Sequence, residues 1–265
     1  MKIKLFFFLA SIALTSHAYA ANSEWTKTPG GSVRLIIENP AQSAREVRGA
    51  IQINLDPGWK TYWREPGDAG VPPELDLSGS TNIKNHVLAF PAPHRFDDGG
   101  THWAGYKKPV FLPVTLTLAE PGKSTHLKGH AFLGICETIC IPVTAKFDVP
   151  INNAPTDQLS ATLINTAFEQ LPSEANAKFG ATSASRHGDH VKITVNLPAD
   201  DPDIDIFVAG DGIVTFGMAK LKKREAGSAL FSVPVVSGKE SKPVPLNYTL
   251  VQGKQAVSGT IDVQE

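Results

Sequence analysis

Ser32-Val33-Arg34-Leu35-Ile36-Ile37-Glu38, a break at Asn39-Pro40, then Glu46-Val47-Arg48-Gly49-Ala50-Ile51-Gln52-Ile53-Asn54-Leu55: two alternating or β-branched runs set the fold class. Side chains that alternate at period two suit a half-buried strand, and Val and Ile crowd a helix but fit a pleated sheet. Pro57-Gly58 ends the second run, and Trp59 to Ser80 is dense in turn formers, with Pro66-Gly67, Pro72-Pro73 and Gly79. Similar runs follow at 83–90, 110–119, 125–132 and 144–149. Short strands that recur about every ten residues between Gly and Pro turns predict a sandwich or barrel.

Beyond a linker at 152–155, Thr156 or Asp157 can cap a helix through Leu159, Leu163, Ala167 and Leu171, stopped by Pro172. After a polar stretch, 173–185, strands resume at 191–197, 204–208, 213–218, 229–236, 245–251 and 257–263. The expected architecture is all-β: a sandwich or barrel over residues 21–152, then a short helix and a second, smaller β-domain of the same general architecture over 153–265.

The chain opens with Lys2 and Lys4, an apolar stretch from Leu5 to Leu14, and Ser16-His17-Ala18-Tyr19-Ala20. That is the order of a secretory signal, cleaved after about Ala20. Its apolar part is about half the twenty residues a bilayer span needs. Export places the mature chain in the periplasm, an oxidising compartment. Setting Lys2 and Lys4 aside leaves 23 of 25 basic side chains against 26 acidic ones. No basic block stands out, so charge argues against a nucleic-acid partner.

The chemistry sits in Leu133-Gly134-Ile135-Cys136-Glu137-Thr138-Ile139-Cys140-Ile141-Pro142, which holds the chain's two cysteines. Across a hairpin or bent strand their Cα atoms can come within disulfide range. Closing a loop of about five residues removes only roughly 2 kcal/mol of unfolded-state entropy, a weak staple for a domain this size. Exposed or strained local disulfides are the ones that exchange, so redox activity stands beside a merely structural bridge. Glu137 and the flanking Ile135, Ile139 and Ile141 are expected to raise a thiol pKa, which fits a carrier better than a hyperreactive oxidant. A copper or zinc site on the same thiols is the competing chemistry, with His126 and His130 nearby in sequence. Met218 is the sole methionine of the mature chain, so a Met-rich copper signature is absent. No local His base supports cysteine-hydrolase chemistry.

At these residues the sequence resembles the N-terminal periplasmic domain of DsbD-type protein-disulfide reductases, and more closely the ScsB-related branch. The matching blocks are Gly58-Trp59-Lys60-Thr61-Tyr62-Trp63-Arg64, Pro66-Gly67-Asp68-Ala69-Gly70-Val71-Pro72-Pro73, Phe90-Pro91-Ala92-Pro93-His94-Arg95-Phe96, Gly105-Tyr106, Leu112-Pro113-Val114 and Cys136 to Pro142. The resemblance implies an immunoglobulin-like sandwich whose cysteine pair shuttles electrons to or from thioredoxin-like periplasmic oxidoreductases. It also implies that the redox-active disulfide serves in place of a cofactor, and that Cys140 forms the mixed disulfide while Cys136 resolves it. It further implies a cap loop over the disulfide, at the place of Asp97, Asp98, Gly99, Gly100, His102, Trp103 and Tyr106. Family members usually carry a transmembrane conduit and a thioredoxin-like domain, neither of which is read in this sequence, so a separate transmembrane electron donor is a candidate partner. Their cysteines are also more widely spaced. The chain would then be a component of a protein-disulfide reductase system. A non-catalytic periplasmic adaptor with a structural disulfide is the alternative. Trp59, Tyr62, Trp63 and Arg64 offer either core packing or a sugar- or peptide-binding surface.

Overall fold

The computed structural model describes residues 21–264 apart from 69, 152–154, 199, 211–213 and 239–244. The expected leader and its cleavage point lie outside the described residues. Strands dominate, and the element order carries one α-helix among the described residues.

In the N-terminal half a six-stranded antiparallel sheet runs in the order Ala21–Asn22, Gly31–Ile37, Glu46–Leu55, Val110–Leu118 and Ile83–Leu88, with Thr26–Thr28 added beside Gly31–Ile37. Facing it is a three-stranded sheet built on one long hairpin, Thr125–Cys136 and Cys140–Ile151, edged by Glu74–Asp76. Along Cys140–Ile151 burial alternates without a break, so Val143, Ala145, Phe147, Val149 and Ile151 face inward. They meet Val33, Leu35, Ile51, Ile53 and Leu112 in one core. Each fully buried aliphatic side chain contributes about 1.5–3 kcal/mol, so this interdigitated layer holds the sandwich closed.

The helix Gln158–Glu169 forms where expected. The Asp157 side chain caps it by accepting from the Ser160 amide at 2.9 Å. Ser160, Ile164 and Ala167 lie on its buried face, at a spacing of one helical stripe. That stripe packs with Ile36 and Ala50 on the outer face of the six-stranded sheet. The helix therefore covers the first sandwich and is more than a connector.

In the C-terminal half a four-stranded sheet, Ser173–Glu174, Gln255–Ile261, Leu246–Gln252 and Ile204–Ala209, packs on a six-stranded one. The latter runs Thr215–Phe216, Ser228–Ser237, His190–Asn196, Gly180–His187 and Val263–Gln264, with Lys220–Glu225 beside Ser228–Ser237. Ile193, Val195, Phe231, Val233 and Leu250 centre its core. Gly180–His187 forms in the stretch read as polar: Ala184 is buried while Thr182 and Ser183 are both exposed, because the register shifts between Ala181 and Ser183 and breaks the period of two. The two halves touch, because Phe207 and Ala209 of the second sandwich belong to the core of the first.

Candidate functional site

Cys136 and Cys140 are disulfide-bonded, with Cα atoms 4.1 Å apart. They are directly opposed in the hairpin register, continuing the pairs Gly134–Pro142 and Ile135–Ile141. The Cys136 amide donates to the Lys60 carbonyl at 2.9 Å and its carbonyl accepts from the Lys60 amide at 2.8 Å. Both backbone groups of Cys136 thus face Lys60, which makes Cys136–Cys140 a non-hydrogen-bonded antiparallel pair. Such pairs bring Cα atoms to about 4.5 Å, the closest approach in a sheet, and this explains a separation below the usual disulfide span. Glu137, Thr138 and Ile139 form the tip, closed by the Glu137 amide donating to the Ile139 carbonyl at 3.2 Å.

The two sulfur-bearing residues differ in access. Cys136 is 1% exposed and clusters with Tyr62, Trp103 and Phe96. Cys140 is exposed, next to Ile139, which is 70% exposed at the tip. The Tyr62 phenol oxygen lies 3.3 Å from the Cys140 sulfur.

The cover over Cys136 comes from a second hairpin, His94–Asp98 and Thr101–Tyr106, hydrogen-bonded along its second strand to Thr61–Gly67. The expected cap loop is therefore mostly strand. Gly99 and Gly100 take φ +67° and +90°, the two positive values of a type I′ turn that joins paired Asp98 and Thr101. Asp97 braces the turn by accepting from the Gly100 amide at 2.7 Å. Phe96 and Trp103 pair across this hairpin with rings stacked at 4.2 Å, and Trp103 meets Tyr62 edge-on at 5.6 Å. Trp103 Nε1 donates to Asp98 at 2.8 Å. Lys60 is ion-paired to Asp98 and sits 4.6 Å from the Trp103 ring centroid; Lys107 sits 4.4 Å from that of Phe96. His102 stands between Asp68 at 3.2 Å and Asp97 at 3.4 Å. Tyr106 is buried in the sandwich core and donates to the Pro91 carbonyl at 2.8 Å, so it anchors the base of the hairpin, while Tyr62, Trp103 and Phe96 form the cluster around Cys136.

Electrostatics follow from these contacts. The hydrogen bond from Lys60, helped by that from Trp103, holds the Asp98 carboxyl below its ordinary value against a desolvation cost. Burial, then the nearby Asp98 charge, pushes the Tyr62 phenol up, so it keeps its proton as a donor. Burial alone pushes Glu65 up to about 7.

The sequence reading placed Tyr62 in the aromatic segment and did not tie it or Lys60 to the cysteines. Lys60 and Tyr62 share a strand face at period two, but Pro66-Gly67 disguised the strand as turn. Trp63 is core, 1% exposed, and Trp59 packs against Gly30, where any Cβ would strike its indole. Trp59 and Trp63 are thus packing residues, while Tyr62 faces the disulfide. Ile135 is buried, whereas Ile139 is exposed and Ile141 half-buried, so the apolar wrapping expected around the pair is one-sided. His126 pairs with Asp148 at 2.6 Å and His130 with Asp76 at 4.0 Å. At about 3.3 Å per strand residue, His130 lies roughly 20 Å from Cys136 along the strand, too far to share a metal with it. Among the described residues no group of three or more His, Cys, Asp or Glu could hold a metal ion.

Fold and site together define a tandem all-β-sandwich chain whose first sandwich carries a cross-strand disulfide with one covered and one exposed cysteine. Residues 32–151 match the family described as thiol:disulfide interchange protein DsbD, N-terminal, and form a DsbD N-terminal-like domain. The chain is similar in structure to the N-terminal periplasmic domain of ScsB from Proteus mirabilis, with a TM-score of 0.75 and 21% identity over 93% of this chain and 100% of that one. That likeness covers both sandwiches and speaks for the fold. A second match, to titin Ig tandem domains A164-A165, has a TM-score of 0.21 and 10% identity over 89% and 96% of the two chains, and carries no weight. Comparison with curated proteins returned no match. Among the described residues no helix is long and apolar enough to cross a membrane.

Proposed function

We propose that this protein exchanges thiols and disulfides with partner oxidoreductases of the thioredoxin-like class in the periplasm, Cys140 meeting the partner and Cys136 resolving. The observation that carries the reading is the asymmetry of the pair: Cys140 is exposed beside an exposed Ile139, while Cys136 is 1% exposed under aromatic rings. Attack on a disulfide needs a partner thiolate in line with the S–S bond, and Cys140 is the sulfur an outside thiol can reach.

A partner thiolate attacks Cys140 Sγ, the S–S bond breaks, and Cys136 leaves as a thiolate that takes up a proton. The partner's second thiol then attacks the mixed disulfide and releases Cys140, so two electrons have entered this chain. In reverse, the Cys140 thiolate attacks a client disulfide and Cys136 resolves. Tyr62 donates a hydrogen bond to whatever negative charge gathers on Cys140. A separate membrane electron donor supplies the reducing equivalents, and the chain reaches the periplasm by a leader cleaved after about Ala20. We assign residues 21–152 to the redox domain and 153–265 to the helix and second β-rich domain, the helix packing back on the first.

Trapping tests the reading. A Cys136→Ser variant, which cannot resolve, should accumulate a mixed disulfide through Cys140 with a thioredoxin-like protein; Cys140→Ser should not. Equilibration in glutathione buffers should titrate the wild-type pair in the range of exchange proteins. A pair that stays oxidised below about −300 mV would instead be a structural bridge.

A further inference from the structure

The hairpin that covers Cys136 has two faces, because neighbouring strand residues point to opposite sides. Phe96 and Trp103, paired across it, face Tyr62 and Cys136. Arg95 and Ala104, the adjacent pair, face away. Ala104 enters the core shared with Trp63, Phe207 and Ala209. Arg95 reaches the second sandwich. Its Nε donates to Asp205 Oδ2 at 2.7 Å and its Nη2 to Asp205 Oδ1 at 2.8 Å, a two-pronged pair, and Nη2 also donates to the Ile206 carbonyl at 3.1 Å. The guanidinium sits 4.8 Å from the Phe207 ring centroid, and Phe207 meets Trp63 edge-on at 5.9 Å. The side chains of Arg95 and Asp205 are 24% and 27% exposed, sheltered enough to escape most of the screening that weakens surface pairs.

We infer that the second sandwich anchors the hairpin that seals Cys136, with Arg95 and Asp205 as the positioning residues. Pulling Phe96 and Trp103 off the sulfur swings the strand that carries Arg95, and that strand is pinned one residue away to Asp205 of the second sandwich. The anchor thereby keeps Cys136 dry and directs incoming thiols to Cys140. This gives the second sandwich a part in the chemistry without contact to the sulfurs, and it rests on the exchange reading above.

The test is the rate of alkylation of each cysteine in the fully reduced protein, followed by mass spectrometry with iodoacetamide. In the wild type Cys140 should react much faster than Cys136. Arg95→Ala and Asp205→Ala should each raise the Cys136 rate about threefold to tenfold and leave Cys140 unchanged, and the double variant should match the larger single effect, as for one coupled pair. Unchanged Cys136 reactivity in variants that melt with the wild type would overturn the inference. So would both cysteines speeding up together, which signals general loosening, or a wild type whose cysteines react equally. Should Asp205→Ala fail to fold, Asp205→Asn removes the charge, keeps the side-chain volume, and is read the same way. Failure of the exchange reading shows separately, as absence of any mixed disulfide in the trapping experiment, while the alkylation rates still report on the anchor.

Discussion

The phenol of Tyr62 hydrogen-bonds the sulfur of Cys140 at 3.3 Å, and because a disulfide sulfur carries no proton, Tyr62 is the donor. When Cys140 becomes a thiolate the same bond strengthens, since hydrogen bonds to charged acceptors are roughly twice as strong as neutral ones. Tyr62→Phe keeps the ring, its edge contact with Trp103 and the cover. It should therefore raise the Cys140 thiol pKa and slow mixed-disulfide formation about tenfold at neutral pH, with the melting temperature little changed. Stopped-flow thiol titration checks this; an unaltered Cys140 pKa would remove Tyr62 from the mechanism.

Acid should loosen the cover. The Asp98 carboxyl lies below its ordinary value when folded, so its contribution is complete above that ordinary value and is lost as pH falls through the depressed one. The indole N–H of Trp103, which Asp98 accepts, should then exchange faster with solvent in this acid window. Heteronuclear NMR of the indole resonances follows it, and an Asp98→Asn protein should lack the transition.

Glu65 works in the opposite direction. Its folded carboxyl holds a proton up to about 7, whereas the unfolded chain releases it near the ordinary value of 4.5. Between those values the folded state binds more protons, so stability falls as pH rises. Glu65→Gln should raise Tm by about 3 °C at pH 8 and leave it unchanged near pH 4. Calorimetry at the two pH values decides, and an equal gain at both would point to packing.

Ile164 holds the helix to the outer face of the first sheet, with Ile36 and Ala50 beneath it. Ile164→Ala should cost about 2–4 kcal/mol and lower Tm by roughly 5–10 °C. Denaturant titration measures the loss, and the glutathione equilibrium of the disulfide should be unaffected because the helix lies outside its cover.

Legibility in the sequence followed hydrophobic periodicity. Glu46–Leu55 was bounded to the residue because Val47, Ile51, Ile53 and Leu55 announce both period and ends. Gly180–His187 and Lys220–Glu225 went unread: one is small and polar with its period broken by a register shift after Ala181, the other is a Lys-rich edge with little apolar signal. The cysteine pair was visible because its chemistry is local. Its surroundings were not, since Tyr62, Trp103 and Cys140 converge only when three sheet segments fold together. The cap was located by resemblance, yet Asp98-Gly99-Gly100 already spelled a type I′ hairpin turn. The Arg95–Asp205 pair spans 110 residues and left no trace in local pattern.

The pairing of Cys136 with Lys60 bears on how quickly the protein can turn over. Every main-chain bond that fixes Cys136 runs to its neighbour on the far side and none runs to Cys140. Parting the sulfurs therefore takes no rung out of the ladder. Oxidised and reduced forms can keep the same backbone, and switching between them asks for a side-chain rotation in place of a refolding step. A scaffold of that kind is ready for the next partner as soon as the last one leaves.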